Sequence, residues 1–225
     1  MGTATLILGE SGTGKSTSLR NLNPEETLLI QTVRKPLPFR SATWKPFNKD
    51  NPAGAICSTD SWQQIIAVIK GAAKYGKLVV IVDDFQYLMA NEFMRRSEEK
   101  SFDKFTEIGS HAWSVIDSAI RQTPDNLRIY FLSHTEETQV GKVKMKTIGK
   151  MLDEKITIEG MFTIVLKTLV RDGQYLFTTQ NSGFDTVKSP MGLFDSSEIE
   201  NDLKAVDDAI YEYYDLGTHT EETTI

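Results

Sequence analysis

Residues Gly9 to Ser16 read G-E-S-G-T-G-K-S, and no other segment constrains the fold of this chain as tightly. Glycines at 9, 12 and 14 permit positive φ angles and close backbone approach, so successive N–H groups can wrap a tetrahedral anion. Such a loop holds its shape when a strand runs into it and a helix leaves it. The apolar run Thr3 to Leu8 meets the first condition, and Thr17 to Leu22, ended by Asn23-Pro24, reads as the start of a helix whose positive dipole end faces the anion. A bare glycine-rich turn would need neither flank.

The spacing G-x-x-x-x-G-K-S assigns roles within the loop. The segment Gly9, Glu10, Ser11, Gly12, Thr13, Gly14 and Thr17 would surround nucleotide phosphates, Lys15 would reach the β- and γ-phosphate oxygens, and the Ser16 hydroxyl would ligate Mg²⁺. The second half of such a site is an acidic residue at the end of a buried strand. Leu78 to Val82, five consecutive aliphatics, reads as a parallel strand covered on both faces, and it ends in Asp83-Asp84. Asp83 would hold Mg²⁺ from the carboxyl end of that strand. Asp84 stands where a carboxylate can polarise an attacking water, and Glu10 is the second candidate for that base. Acidic residues also end strands for purely conformational reasons, as in many turns.

Length and composition agree with one hydrophobic core. The chain has 225 residues, 40% hydrophobic and 25% charged, and no apolar run approaches transmembrane length. Its N-terminus enters the first strand at once, which leaves no room for a signal peptide. Cys57 is the single cysteine, so an internal disulfide is excluded; it sits in the apolar stretch Ala53 to Cys57 and reads as a buried strand residue. A cytoplasmic location follows as the expectation. The net charge of −6 gives no global attraction to nucleic acid, so any such contact must use a local basic patch.

Strands and helices alternate along the first half. Thr27 to Thr32 is a second strand, Val33 to Asn51 a long surface loop, and Ala53 to Cys57 a short third strand. Asp60 or Ser61 caps a helix to about Tyr75, stopped by Gly76, with Ile65, Ile66, Ile69 and Ala72 inward. Phe85 to Thr123 is helical, with breaks expected near Glu98 to Ser101 and at Gly109. Leu127 to Leu132 is another apolar strand. These are the parts of an α/β protein with a mostly parallel central sheet flanked by helices. Strands intervene between the phosphate-loop strand and the Asp83 strand, which points to the RecA and AAA branch of phosphate-loop folds. In that branch the strand ending at Leu132 would present Ser133 and His134 as sensors of a γ-phosphate.

Beyond Leu132 the pattern becomes antiparallel. Met161 to Val170 and Gln174 to Thr179 flank Arg171-Asp172-Gly173, and Asp-Gly between two β-rich runs is a strong hairpin signal. Ser196 or Ser197 would then cap a last amphipathic helix to about Leu216 through Ile199, Leu203, Val206 and Ile210, with an acidic outer face. The expected organisation is a core over 1–195, this helix over 196–216 and a disordered tail over 217–225.

Together the phosphate loop, the Leu-Val-Val-Ile-Val-Asp-Asp strand and the Ser133-His134 pair resemble the small RecA-like ATPases encoded by tailed phages, some of which act in single-strand annealing and recombination. The resemblance covers the chain to about Phe194 and implies ATP and Mg²⁺ as ligands, hydrolysis of ATP, a homo-oligomer, single-stranded DNA or a phage replication or recombination protein as partner, and no membrane. It also implies a basic residue reaching the site from a neighbouring subunit, for which Lys188 is the first candidate and Arg171 the second. Thr32 departs from the pattern, since RecA carries a glutamate at the end of the second strand. In RecA-like proteins the segment after the sensor strand touches single-stranded DNA. Here that segment is Gly-Lys-Val-Lys-Met-Lys, whose alternation places Lys142, Lys144 and Lys146 on one face of an extended backbone, with Lys150 just beyond. Lysines on an exposed edge strand also protect against aggregation without binding anything.

Overall fold

A computed structural model describes residues 2–149, 152 and 155–217. Ten strands and four α-helices alternate in chain order: β1 (Thr3–Leu8), β2 (Thr27–Gln31), β3 (Ile56–Ser58), α1 (Trp62–Gly71), β4 (Val79–Asp83), α2 (Gln86–Arg95), α3 (Asp103–Arg121), β5 (Arg128–Ser133), β6 (Thr135–Glu137), β7 (Val143–Met145), β8 (Ile164–Arg171), β9 (Gln174–Thr178), β10 (Glu198–Glu200) and α4 (Leu203–Tyr213). Eight strands form one sheet in the order β10-β9-β8-β1-β5-β4-β2-β3, while β6 and β7 pair apart from it. From β8 across to β3 every pairing is parallel; β9 and β10 add an antiparallel edge. The insertion expected between the phosphate-loop strand and the Asp83 strand is present: β5 lies between β1 and β4.

Alternation along the strands sorts the core into two layers. Leu6, Leu8, Leu28, Ile30, Val80, Val82, Ile129 and Phe131 face α1, α2 and α3, where Ile65, Ile69, Leu88, Ile108, Ala112 and Val115 meet them. Ile7, Leu29, Ile81, Tyr130 and Leu132 point the other way, toward Leu19, Leu22, Leu203, Val206 and Ile210. Both faces are therefore covered, which is why β1, β4 and β5 read as near-continuous apolar runs.

Helix limits follow local chemistry. Ser61 accepts a hydrogen bond from the Gln64 N–H at the start of α1, and the short 3-10 turn that continues it ends at Gly76, whose φ of 71° no branched residue would hold at low cost. The helical region after β4 does break between Arg95 and Asp103. It does not break at Gly109: that residue is buried within a continuous α3, and packing outweighs the roughly 1 kcal/mol by which glycine disfavours a helix interior. The hairpin at Arg171-Asp172-Gly173 is present, with Asp172 at φ 52° and Gly173 at φ 76°, the two positive angles a two-residue type I′ turn demands.

Two further expectations differ. No helix begins at Ser196 or Ser197; Glu198–Glu200 instead extends the sheet against β9, Ile199 is a strand residue, and α4 starts at Leu203 under an Asp202 cap. Leu203, Val206 and Ile210 are fully buried, so this helix is part of the core. The segment after the phosphate loop is a 3-10 helix over Ser16–Asn21, short because Leu22 already turns extended. Cys57 is half-buried in β3, and burial raises its thiol pKa, as suits a packing residue. No helix among the described residues is long and apolar enough to cross a membrane. Lys150 and residues 218–225, expected to be disordered, lie outside the described residues.

Candidate active site

The carboxyl ends of β1, β4 and β5 converge on one cavity of about 280 Å³. Ser11, Gly12, Gly14, Lys15, Ser16 and Thr17 form one wall; Lys35, Pro36, Pro38, Asp84, His134 and Tyr175 form the rest.

Each loop glycine has a steric reason. Gly12 and Gly14 sit at φ 80° and 97°. Gly9 does not, but a Cβ there would lie 1.8 Å from Thr168 Oγ1 on β8, so only glycine fits where the strand turns into the loop. At Gly14 a Cβ would also meet Tyr175 Cδ1 at 2.9 Å and Asn201 Oδ1 at 3.1 Å. Thr13 braces the turn, donating to the Glu10 carbonyl at 2.8 Å and sharing a 2.6 Å hydrogen bond with Thr168. Because the following helix is a brief 3-10 segment, loop amides and Lys15, more than a helix dipole, would have to hold an anion here.

Lys15 is only 5% exposed, and its ammonium donates to the Gly9 and Glu10 carbonyls at 2.8 and 2.7 Å. Burial lowers its pKa to about 8, although Asp84 and Asp83 pull the other way. An arriving phosphate would favour the charged form. Ser16 Oγ donates to both carboxylate oxygens of Asp83, at 3.1 and 3.0 Å, which unites the loop with the end of β4. Serine hydroxyl and carboxylate are hard oxygen donors of the kind Mg²⁺ takes alongside nucleotide phosphates. Burial, then the neighbouring Asp84 charge, raises the Asp83 pKa, and a divalent cation would reverse that shift.

Asp84 is buried and held in the left-handed region at φ 57°. That strain is clamped by Thr32, whose hydroxyl donates to the Asp83 and Asp84 carbonyls at 3.0 and 2.8 Å. Thr32, just past the end of β2, thus fixes the backbone of the adjacent acid. The Asp84 carboxylate pairs with Lys35 and lies 3.4 Å from His134 Nε2. Burial alone would raise its pKa; hydrogen bonds from His134 and Lys35 outweigh this and hold it below the usual carboxylate range.

His134 lines the cavity and Ser133 does not. The Ser133 hydroxyl is fully buried and donates to Gln86 Oε1 at 3.3 Å, the same atom that accepts the His134 N–H at 3.1 Å. Gln86 therefore fixes the strand end that presents His134. Glu10, the second candidate base, is exposed, with its carbonyl turned to Lys15.

Lys188 is distant in role from this cavity: its backbone pairs with Val165 on β8, and it does not line the wall within one chain. Arg171 is engaged with Glu198 across the β9–β10 edge. Lys142, Lys144 and Lys146 lie on the β6–β7 hairpin, with Met145 buried beneath; Lys144 is 3.2 Å from Glu136. The Lys146 N–H donates to the His134 carbonyl at 2.9 Å, which ties the lysine strand to the cavity wall.

Sequence reasoning missed Lys35, Gln86, Tyr175 and Asn201. Lys35 lay in a proline-rich loop read only as surface, and its Lys-Pro-Leu-Pro context was the available signal, since prolines stiffen a segment that must present a side chain. Asn201 is 1% exposed and its side-chain amide makes no hydrogen bond.

No family model and no curated protein matches the sequence. Among solved structures, the chain is similar to a KaiC-like protein of the hyperthermophilic archaeon Pyrococcus horikoshii OT3, at 13% identity and a TM-score of 0.41, over 78% of this chain and 77% of that one.

Proposed function

We propose that the chain binds ATP with Mg²⁺ in this cavity and hydrolyses the terminal phosphoryl bond. The observation that carries the reading is the junction of Ser16 Oγ with both Asp83 oxygens, beside Lys15 and a glycine loop with positive φ at Gly12 and Gly14. Ser16 Oγ and the Asp83 carboxylate would hold Mg²⁺, which would offset the charge that develops in phosphoryl transfer. Lys15 binds the β- and γ-phosphates, and Asp84 orients water, with His134 beside it. Isothermal titration of Mg·ATP, with and without a chelator, together with phosphate release, tests the reading; absence of Mg²⁺-dependent binding would refute it.

Asp84→Asn is expected to bind Mg·ATP within about threefold of the parent while turnover falls about a hundredfold, since an amide cannot accept the proton of the attacking water. Wild-type turnover in that variant would move the base elsewhere, Glu10 being next.

A second level of the proposal is coupling to single-stranded DNA, of the kind used in phage recombination or annealing, within a homo-oligomer to which Lys188 would contribute across subunits. One observation favours the DNA contact. Phe184 is 69% exposed, and its carbonyl accepts the Val143 N–H at 2.8 Å, so an aromatic ring lies beside the lysine strand that contains no aromatic residue itself. Replacing Lys142, Lys144 and Lys146 together by Ala is expected to weaken single-strand binding for every sequence and to flatten the slope of log affinity against log salt by about 2, measured by fluorescence anisotropy. An unchanged slope would reduce the stripe to edge protection. The protein would then act as a nucleotide-dependent scaffold or loader for a replication protein.

A further inference from the structure

Lys35 enters the cavity from a loop, opposite the phosphate-binding wall. Its backbone is anchored, because Gln31 Nε2 donates to the Lys35 carbonyl at 2.9 Å and Pro36 restricts the chain that follows. Its side chain is not confined: it is 42% exposed, against 4% for the Asp84 side chain with which it pairs. The same ammonium that neutralises Asp84 therefore borders the space between that carboxylate and Lys15. Electrostatics inside the cavity are finely matched, with Lys15 and Lys35 set against Asp83 and Asp84. A triphosphate would bring more negative charge than Lys15 and a magnesium ion offset, and on the nucleotide reading above the group between Lys15, Asp84 and Lys35 would be the terminal one.

We propose that Lys35 is a second phosphate-binding cation of this site, selective for the γ-phosphoryl group, and that its transfer from Asp84 to that group frees the Asp84 carboxylate. This rests on the nucleotide reading above. A nucleoside diphosphate offers nothing at that position, so Lys35 stays on Asp84 and the acid remains engaged. The ion pair is in this sense a latch that a triphosphate opens and a diphosphate does not. His134, 3.4 Å away, is left as the neighbour of the released carboxylate.

The test compares affinities of the intact protein for ADP and for a non-hydrolysable ATP analogue, both with Mg²⁺, in the parent and in Lys35→Met and Lys35→Arg. Methionine keeps the stem and removes the charge; arginine keeps the charge. Lys35→Met is expected to lose about ten- to hundredfold in affinity for the analogue while ADP affinity changes less than about threefold, the effect of one charge-assisted contact. Lys35→Arg is expected to restore most of the analogue-to-ADP ratio. If Lys35→Met leaves that ratio unchanged, by weakening both ligands equally or neither, Lys35 is only the counter-ion of Asp84 and the proposal falls. A parent protein that binds neither ligand overturns the nucleotide reading itself, a different result from an unchanged ratio in a parent that binds both. Thermal melts of each variant ensure that a folding defect is not scored as lost affinity.

Discussion

Lys15→Ala is expected to lower ATP hydrolysis by about a hundredfold or more, and Asp83→Ala to do so for a different reason. The lysine ammonium is buried against the Gly9 and Glu10 carbonyls, at hydrogen-bond distance from both, so the loop itself fixes its position at the cavity wall. Removing it would delete the charge-assisted contact that the proposed reading assigns to the transferred group, made by a residue only 5% exposed. Removing the Asp83 carboxylate instead releases the Ser16 hydroxyl, and with it the oxygen pair that would hold Mg²⁺. The two variants should be told apart by titrating the metal. Raising Mg²⁺ is expected to recover part of the activity of Asp83→Ala and none of that of Lys15→Ala. Phosphate release across a magnesium series measures both, and wild-type turnover in Lys15→Ala would remove hydrolysis at this loop from consideration.

What the sequence disclosed and what it concealed divide along a physical line. The phosphate loop, the Asp83 strand and the Asp172-Gly173 hairpin were legible because each depends on local geometry: positive φ angles, a buried apolar run, a two-residue turn. The lysine run was legible only in part: β7 covers Val143–Met145, so Lys144 is on the strand and Lys142 and Lys146 flank it. Gly109 misled because glycine propensity is a local penalty, whereas burial in α3 is a tertiary gain. Ser196 and Ser197 looked like caps, yet Ile199 pairs with Phe177 on β9, a partner that no local pattern reveals. Lys35 and Gln86 were hidden for the same cause. One reaches Asp84 across 49 residues of sequence and the other reaches His134 across 48, and neither stands in a spacing that marks it.

Thr32 orders the acid beside it through the backbone. Its hydroxyl, just past β2, bonds the successive carbonyls of Asp83 and Asp84 at the end of β4, where Asp84 holds a positive φ and its carboxylate meets Lys35 and His134. The acid is supplied by one strand and its orientation by the next.

The largest effect on stability is expected far from that chemistry, at the opposite ends of the strands. Asp207 on α4 receives Arg128 Nε and Nη2 at 2.8 and 2.9 Å and the Tyr130 hydroxyl at 2.6 Å, with both charged side chains nearly sequestered from solvent. Asp207→Ala leaves a buried guanidinium and a buried phenol without that acceptor, so the cost is about 3–5 kcal/mol. For a chain of this size that corresponds to a fall of roughly 6–20 °C in the thermal midpoint. The surface pair Lys204–Asp208, one residue further along the same helix, is the control, since breaking an exposed i,i+4 pair costs only about 0.5 kcal/mol. Replacing the buried partners together, as Arg128→Met and Tyr130→Phe with Asp207→Leu, should recover much of the loss, because the penalty comes from orphaned polar groups and not from the absence of an ion pair. Calorimetry on the three variants decides the matter: equal midpoints for Asp207→Ala and Lys204→Ala would mean that α4 is not held to the sheet in the way its hydrogen bonds require.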